Sequence, residues 1–278
     1  MNDCPAPLPF DRFRADLVDT AFSPHRHDTY TFALTVRGVQ AFDYRGETRH
    51  SLPGAAVVLH PDELHDGRPV TEGGFGYAAL TVLPEHFASR IPSRGLPFLA
   101  GGVSRDRRLT SAIGAAFRLP PSGEDGLAAE TVLIELAQAL EAVSDAPPPA
   151  RTPRTDAVER ARLHLHERMT EQVTLEELEA LTGLGRWQLC RDFRAVLGTS
   201  PYRYLTLRRL DRVKAALRSG RPSAGAALEA GFSDQAHMSR QFRAAFGMTP
   251  RCWMALAAPS GRTILQDATE RTGDTRPH

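Results

Sequence analysis

Cysteine is scarce in this sequence, and long apolar runs are absent. The 278 residues include three cysteines, Cys4, Cys190 and Cys252, and none of them has the C-x-x-C spacing of a metal or redox motif. This pattern disfavours a disulfide framework and a cysteine-based zinc site. The longest apolar runs fall short of the roughly 18 residues that a membrane helix needs, and the start lacks the basic and then apolar layout of a secretory signal. We expect a cytoplasmic protein without a membrane partner.

A large net charge is also missing, but the charges are unevenly distributed. The formal net charge is +1. Residues 1–150 hold 13 arginines against 19 acidic residues, whereas the remainder holds 21 basic against 14 acidic residues. Between residues 186 and 221, ten basic residues accompany only Asp192 and Asp211. A local positive field of this kind favours a polyanionic partner, although a solvated arginine-rich surface has the same composition.

The chain divides into two domains at a proline-rich segment. Its length exceeds that of a usual single domain, and its 41% hydrophobic content is ordinary for a folded protein. Residues 145–154 cannot continue a helix and contain no large apolar side chain, so they predict a linker. Residues 1–144 then form one domain, residues 155–258 form a second, and the polar residues 259–278 form a tail.

The first domain is predicted to be a small antiparallel β-barrel or sandwich with flanking helices. Apolar side chains alternate with small ones from Tyr30 to Val36, which is typical of a half-buried strand. The stretch Ala128 to Val143 carries an apolar stripe that includes Val132 and Leu140, which predicts a helix packed on the barrel or on a second subunit. Further short β-prone runs, separated by glycine-containing turns, occur at residues 42–44, 55–59 and 77–82.

The second domain contains a repeat at an offset of 49 residues. The segment LCRDFRA from Leu189 matches MSRQFRA from Met238, and GTSP from Gly198 matches GMTP from Gly247. Eight positions match in kind over 13. Such a match at one fixed offset is improbable by chance, so it indicates a duplicated structural unit.

Each copy is predicted to be a helix-turn-helix unit. In the first copy, Thr174-Leu-Glu-Glu177 is a capping box for a helix that ends at Gly183. A second helix over about residues 186–197 has an inward apolar stripe and an outward basic face, and the second copy repeats this layout up to Phe246. Amphipathic helix pairs are common in helical proteins, but duplication beside a basic field favours a DNA-binding domain.

A continuous helix is predicted to join the two units. It begins with Ser200 as its N-cap and runs to Gly220. Its 19 residues span roughly 28 Å at about 1.5 Å per residue. Successive major-groove faces lie about 34 Å apart. A rigid spacer of this length allows one chain to place two recognition helices in adjacent major grooves.

Over residues 157–253 the sequence resembles the AraC family of transcription regulators. The motifs that carry the resemblance are Gly231-Phe-Ser-Asp-Gln235, Ser239-Arg-Gln-Phe242 and Gly247-Met-Thr-Pro250. Two positions depart from the family pattern, because Glu179 stands where a small alanine is usual and Gly185 where a serine commonly caps the recognition helix. The resemblance implies base contacts by two sets of residues, Arg186, Trp187, Gln188, Cys190 and Arg191 in the first unit and Gln235, Ala236, His237 and Arg240 in the second.

Side-chain chemistry is compatible with these roles. Arg191 and Arg240 offer planar donor forks that suit guanine. Gln188 or Gln235 suits adenine, and Trp187 suits a sugar or a thymine methyl group. Phosphate neutralisation is the role predicted for four further arginines, Arg194, Arg208, Arg209 and Arg243.

The first domain is similar to the cupin-like ligand-binding domain that often accompanies this kind of DNA-binding half. The similarity covers about residues 22–82 and depends on PHRHD from Pro24, LPG from Leu52 and PDELHDG from Pro61. It implies a small organic effector. Contacts to that effector are predicted from five side chains, His25, His27, Tyr30, Phe32 and His65.

The same histidines suggest a metal-dependent enzyme as an alternative. His25, His27 and His65 would converge in a barrel, and imidazole is a common metal ligand. Enzymatic cupins add a carboxylate a few residues after the H-x-H pair, where this chain has Thr31. The incomplete set predicts no metal, no cofactor and no catalytic residue. Two substitutes for the carboxylate are conceivable, His50 and Glu63.

The sequence thus predicts an α+β multidomain protein, with a cupin-like antiparallel β-barrel and an all-α domain of two helix-turn-helix units joined by a long helix. We expect a sequence-specific transcription regulator whose partners are double-stranded DNA and an unknown small-molecule effector. If the protein activates transcription, RNA polymerase is a further predicted partner. A homodimer is also possible, in which case a second copy of the chain is a partner. The alternatives are a metal-dependent cupin enzyme tethered to DNA and an architectural DNA-binding protein.

Overall fold

The computed structural model describes residues 8–18, 21–88, 90, 96–120, 126–145 and 152–257. Most of the predicted linker and the whole predicted tail lie outside the described residues. The strands are β1 (Phe10–Leu17), β2 (Phe22–His25), β3 (Tyr30–Gly38), β4 (Gln40–Tyr44), β5 (Glu47–Ser51), β6 (Ala56–Leu59), β7 (His65–Pro69), β8 (Phe75–Val82) and β9 (Val103–Ser104). The helices are α1 (Pro84–Ala88), α2 (Arg107–Ala116), α3 (Gly126–Val143), α4 (Thr155–Glu167), α5 (Leu175–Thr182), α6 (Arg186–Leu197), α7 (Pro201–Arg218), α8 (Ser223–Glu229), α9 (Gln235–Phe246) and α10 (Pro250–Ala257). Among these described helices, none combines the length and the apolar character that crossing a bilayer requires.

The strands of the N-terminal domain form two antiparallel sheets. The strand order is β1-β8-β3-β6-β9 in the first sheet and β2-β7-β4-β5 in the second. In the first sheet, Phe32 on β3 pairs with Leu80 on β8 and Val58 on β6. Aromatic side chains such as Phe42 and Tyr77 fill the core between the sheets. The predicted antiparallel β-domain with flanking helices is therefore confirmed.

Strand β3 is more deeply buried than its sequence pattern predicts. Tyr30 and Phe32 pack against Phe87 on the side of the helices. Ala33, on the other face, packs in the core between the two sheets. The prediction of a half-buried strand is wrong, because helices cover one face of this sheet and the second sheet covers the other. Only the far end of the strand emerges, where Val36 is 55% exposed.

Helix α3 packs within its own chain. Val132, Leu136 and Leu140 lie in one core with Leu109 and Ile113 of α2 and with the five-stranded sheet. The three side chains are between 0 and 4% exposed in a single chain. The stripe therefore packs on the β-domain, and the alternative in which it packs on a second subunit is wrong.

The C-terminal domain consists of two helical units that share α7. One core joins α4, α5 and α6 to Tyr204 and Leu205 at the start of α7. The other joins α8 and α9 to Leu210, Val213 and Leu217 further along α7. The 18 residues of α7 span about 27 Å. The predicted pair of units on a rigid helical spacer is confirmed.

The helix ends use the residues that the sequence marks for them. The hydroxyl of Thr174 accepts a hydrogen bond from the backbone N–H of Glu177, and Ser200 accepts one from Arg203 in the same way. Gly183, Gly198 and Gly247 end α5, α6 and α9 in the left-handed conformation. The Thr174 capping box is only half formed, because the Glu177 side chain instead contacts His164 and Arg168.

Candidate DNA-binding and ligand-binding sites

The outward face of α6 is exposed as a DNA-contacting face must be. Leu189, Phe193 and Leu197 are buried in the core of the first unit. On the opposite face, the Trp187 indole is 80% exposed, although a large apolar ring of this kind is normally covered in a folded protein. The other predicted contact residues of this unit are exposed or partly exposed, Arg186, Gln188, Cys190, Arg191 and Arg194.

Glu179 and Gly185, the two departures from the family pattern, compensate for each other. Gly185 has no side chain with which to cap α6. The Glu179 carboxylate takes over this role, because its Oε1 accepts a hydrogen bond from the backbone N–H of Arg186 at 2.6 Å. Its Oε2 also pairs with the Arg186 guanidinium at 3.2 Å, and Glu176 lies 3.7 Å from the same group. Arg186 is therefore held by acidic residues of α5.

Helix α9 repeats this arrangement with an ordinary cap. The Asp234 carboxylate accepts a hydrogen bond from the backbone N–H of His237 at 2.6 Å. Met238, Phe242 and Ala245 face the core of the second unit. The His237 ring lies across Phe232, with centroids 5.5 Å apart, and its Nδ1 lies 3.2 Å from the Ser233 hydroxyl. The remaining predicted contact residues are exposed, Gln235, Ala236, Arg240 and Arg243.

Two of the arginines predicted to neutralise phosphates have other roles. The Arg208 side chain is 13% exposed and forms ion pairs with Asp28 at 2.6 Å and with Asp211 at 3.1 Å. Arg209 donates to the backbone carbonyl oxygens of Met169 and Glu171, both at 2.7 Å. The prediction for Arg208 is wrong, because its guanidinium is shielded between the domains. Arg209 is partly exposed, so its predicted phosphate contact stays a prediction. A count of basic residues does not reveal which of them have internal partners.

The two domains are joined by polar contacts around the segment after β2. Arg203 of α7 pairs with Asp62 at 3.0 Å and donates to the backbone carbonyl of Arg26. The backbone N–H of Arg26 in turn donates to the carbonyl of Ala244 on α9, at 3.3 Å. Together with the Arg208–Asp28 pair, these contacts fix α7 and α9 to the N-terminal domain. No local sequence pattern indicates pairs that are up to 180 positions apart.

The C-terminal ends of both recognition helices touch the N-terminal domain through equivalent glycines. At Gly198, which ends α6, a Cβ atom would lie 2.5 Å from Cβ of Pro61. At Gly247, which ends α9, a Cβ atom would lie 2.8 Å from Nδ1 of His25. The repeat thus places a residue without a side chain at both contacts. The N-terminal halves of α6 and α9 remain exposed, while their C-terminal ends are covered.

The structure brings together three of the five residues predicted to bind an effector. One ring nitrogen each of His25, His27 and His65 lies within 4.8 Å of the other two. Burial lowers the pKa of all three imidazoles, that of His65 to about 3. Tyr30 and Phe32 lie elsewhere, in the core between sheet and helices, and the Tyr30 hydroxyl donates to the carbonyl of Pro97 at 2.8 Å.

A cavity of about 300 Å³ lies between the domains. Arg26 lines it from the N-terminal domain, and Arg194 and Arg203 line it from the C-terminal domain. Asp62 is the only acidic side chain among its lining residues. The cavity therefore presents an excess of positive charge, and a molecule inside it would touch both domains.

The fold and these sites define a transcription regulator in which a ligand-binding domain is docked on a double helix-turn-helix DNA-binding domain. The sequence matches the AraC-like ligand binding domain family over residues 7–137 and the helix-turn-helix domain family over residues 178–255. The chain belongs to the AraC family of transcription regulators.

Two relatives are transcriptional regulators by name, and a solved structure has a similar fold. The HTH-type transcriptional regulator YbfI of Bacillus subtilis is 26% identical over 242 residues, which are 83% of this chain and 86% of that protein. The probable transcriptional regulator LumQ of Photobacterium leiognathi is 27% identical over 88 residues, 31% of this chain and 36% of that protein. The fold is similar to that of ToxT from Vibrio cholerae, with a TM-score of 0.64, 11% identity and coverage of 91% of this chain and 99% of that chain.

Proposed function

We propose that the protein binds specific DNA sites with α6 and α9 and that an anionic effector between its domains controls this binding. The observation that carries the proposal is the division of each recognition helix into an exposed N-terminal half and a C-terminal end docked on the ligand-binding domain. Because the same domain touches both helices, a change in its docking alters both DNA contacts together. No catalytic step is part of this role, and we place the protein in the cytoplasm.

The base contacts are assigned to residues on the exposed halves. Arg191 and Arg240 occupy equivalent positions of the repeat and suit guanine. Trp187, Gln188 and Gln235 lie nearer the starts of the helices, where base edges are reached in helix-turn-helix complexes. The other members of the two predicted contact sets keep the roles that the family resemblance implies, Arg186, Cys190, Ala236 and His237. Arg194, Arg209 and Arg243 are the remaining candidates for phosphate contacts.

The effector is proposed to carry a carboxylate. The cavity between the domains is lined by Arg26, Arg194 and Arg203 against one acidic residue, Asp62. Guanidinium groups recognise carboxylates through paired charge-assisted hydrogen bonds. One ToxT structure contains a bound unsaturated fatty acid, and another contains (E)-4-(8-methylnaphthalen-1-yl)but-3-enoic acid, so both ligands of that protein are carboxylic acids. The predicted effector contacts by the three histidines remain a separate proposal for the adjoining surface.

Selection of bound genomic fragments with the full chain, followed by footprinting, tests the DNA-binding role. We expect a few asymmetric sites of about 20 base pairs, because two adjacent major-groove contacts lie one helical turn of 10–10.5 base pairs apart. Arg240→Ala should weaken protection, whereas Arg107→Ala on the exposed surface of α2 should not. Uniform coating of all fragments would instead support an architectural protein.

The effector proposal is tested by comparing unsaturated fatty acids with their matched primary alcohols. At least one acid should change the affinity of the full chain for its selected DNA site, and the matching alcohol should not. Arg26→Gln should reduce this response while leaving DNA binding without effector unchanged, because Arg26 lines the cavity from the N-terminal domain. Equal responses to acid and alcohol would refute a carboxylate-specific site.

RNA polymerase and a second copy of the chain are the further partners that we propose. Contact with RNA polymerase is required if the protein activates transcription. A second copy cannot use Val132 and Leu140, which are buried. The part of α3 that is still accessible to a second copy carries the exposed side chains of Leu127 and Ile134. Sedimentation of the full chain with and without its DNA site measures this association.

A further inference from the structure

Within the C-terminal domain, the two helix-turn-helix units contact each other beside the starts of α5 and α9. Each unit has its own hydrophobic core, and the two cores have α7 in common. From α7, the Arg209 side chain donates to the carbonyl oxygens of Met169 and Glu171, which follow α4 in the first unit. At Gly231 of the second unit, a Cβ atom would lie 2.8 Å from Cα of Thr170. A bridge at this place alone would leave the far ends of α6 and α9 able to rotate about α7.

The N-terminal domain supplies a second bridge, and it lies at those far ends. Pro61 contacts Gly198, which ends α6, and His25 contacts Gly247, which ends α9. Gly231 and Gly247 flank α9, whose 12 residues span about 18 Å. The two bridges therefore hold α9 at opposite ends, and together they restrict the rotation that either bridge alone would permit.

We propose that the N-terminal domain acts as a brace that sets the distance and the angle between the two recognition helices, and thereby the spacing of the DNA segments that they read. The brace consists of residues 25–28 and 61–62, and His25 and Pro61 are its positioning residues. The proposal rests on the proposed binding of DNA by α6 and α9. It goes further, because it assigns the choice of operator spacing to side chains outside the DNA-contacting helices.

The brace is tied together internally. The backbone N–H of Asp62 donates to the carbonyl of His27 at 2.7 Å, which connects the part of the brace that holds Pro61 to the part that holds His25. His25 also pairs with His65 in the ladder between β2 and β7. Asp62 has φ +62°, a left-handed conformation that persists in a residue with a side chain only where its surroundings hold it. The two contact points of the brace therefore move as one body.

The middle of the brace is fixed to α7, the helix that both units share. The Arg203 guanidinium, near the start of α7, pairs with Asp62 at 3.0 Å and donates to the carbonyl of Arg26. The backbone N–H of Arg26 donates to the carbonyl of Ala244 on α9. The brace thus contacts the end of α6, the start of α7 and the end of α9. Contacts at three points on three helices define an orientation, whereas a single contact permits a swivel.

DNA converts this orientation into a preference that can be measured. One added base pair moves the second recognised segment by about 3.4 Å along the duplex and turns it by about 34–36°. Two helices that are fixed relative to each other cannot both follow such a change, so one of them loses its base contacts. Two helices joined by a hinge can follow the displaced segment and should lose less affinity.

Binding of the full chain to a spacing series tests the proposal. The series consists of a selected site and versions of it with one base pair inserted or removed between the two recognised segments. Wild-type protein should bind the altered sites at least about 10-fold more weakly, because the base contacts of one helix are lost. The double variant His25→Ala, Pro61→Gly removes both contacts of the brace. It should narrow this ratio to about threefold or less, because hinged helices keep most base contacts on either site.

The matched control is the double variant His50→Ala, Pro53→Gly. It makes the same two changes at exposed positions of the same domain and should keep the wild-type ratio. The ratio between two sites, measured in one preparation, does not depend on how much of the protein is folded. A purely structural role of His25 and Pro61 would therefore lower both affinities and leave the ratio unchanged.

Two results would overturn the proposal. One is a wild-type chain that loses less than about threefold on the altered sites, which would mean that its helices are already hinged. The other is a His25→Ala, Pro61→Gly variant that keeps the full wild-type ratio. Both results leave the proposed DNA-binding role intact, because each is measured on a site that the chain binds. A chain that selects no specific site refutes that role, and the brace with it.

Discussion

Arg208 of α7 and Asp28 of the N-terminal domain form an ion pair, with 2.6 Å between Nη2 and Oδ2, that is shielded from solvent between the two domains. Burial raises the pKa of Asp28 above its ordinary value even though a guanidinium lies beside it. A buried pair of this kind adds little net stability, but the loss of one partner is costly because it leaves an uncompensated charge.

The two partners of this pair should not be equally sensitive to substitution. Arg208→Met leaves the Asp28 carboxylate buried without its cation, and we expect a loss of about 3–5 kcal/mol in unfolding free energy. Asp28→Asn should cost less, because Arg208 keeps Asp211 at 3.1 Å. Urea unfolding measures both, and the double variant should lose less than the sum. Equal losses of the two single variants would contradict the predicted asymmetry, and additive losses in the double variant would show that the pair is not coupled.

Gly198 is predicted to be required for domain docking as well as for ending α6. An alanine in the left-handed conformation costs about 1–2 kcal/mol at any position. Gly183→Ala measures this cost alone, because Gly183 has φ +70° and open space around it, whereas Gly198 has the same φ but faces Pro61. Gly198→Ala should therefore cost a further 1–3 kcal/mol or so through overpacking, or separate the domains.

Fluorescence distinguishes these outcomes, since Trp187 and Trp253 are the two tryptophans of the chain and both belong to the C-terminal domain. Separated domains should give a fluorescence transition that no longer coincides with the transition measured by circular dichroism. Equal stability of the Gly183 and Gly198 variants would contradict the contact with Pro61.

Glu179 is predicted to stabilise α6 at the expense of DNA affinity. Glu179→Ala removes the helix cap and should lower stability by about 1 kcal/mol, whereas Glu179→Gln keeps an acceptor and should lose less. The glutamine variant also frees the Arg186 guanidinium, and its charge then contributes to neutralising the DNA backbone while it makes its predicted base contact. Its DNA affinity at low salt should rise, and the slope of log K against log salt should steepen by about one. An unchanged slope would mean that Arg186 does not reach the DNA.

Arg240 and Arg243 lie on one helix but are predicted to contact different parts of DNA. Arg240→Ala should cost about 1–3 kcal/mol on the specific site and relax the preference at one base pair. Arg243→Ala should weaken specific and scrambled DNA alike and reduce the salt slope by about one. Binding measured against a set of single-base operator variants separates the two. Equal losses of Arg240→Ala on both kinds of DNA would reassign it to a phosphate.

His60 is predicted to make the N-terminal domain sensitive to acid. Its Nε2 accepts a hydrogen bond from the backbone N–H of Leu99 at 3.0 Å, and its Nδ1 lies 2.6 Å from the Tyr44 hydroxyl. Burial lowers the pKa of His60 to about 3. The unfolded chain binds a proton near pH 6.5, so stability falls by about 1.4 kcal/mol per pH unit as the pH drops from 6.5 towards 3.

His60→Gln should be less stable than the wild type at pH 7.5 but should lose stability less steeply below pH 6.5. His50→Gln, on the exposed surface, should keep the wild-type slope. Unfolding by urea at several pH values, followed by circular dichroism, gives the comparison. A His60→Gln slope equal to that of the wild type would mean that the ring is already protonated in the folded state.

The sequence alone predicted the domain order, the β-domain, the duplicated helical units and the spacer helix. These features depend on local patterns, namely hydrophobic periodicity, helix caps and a repeat, and each is contained within a few tens of residues. The family resemblance extended this to the recognition helices, whose faces are exposed as expected. The burial of β3 on both faces escaped the prediction, because the helices that cover Tyr30 and Phe32 come from distant parts of the chain.

Only the tertiary structure decided which charged side chains are available for a ligand. Arg191 and Arg208 are alike in sequence, yet one lies on the exposed face of α6 and the other is paired with Asp28, 180 positions away. Ion pairs between domains depend on how the domains dock, and no local pattern encodes that arrangement. For the same reason the H-x-H segment suggested a site, but only the fold brought His65 to it and placed both beside α9.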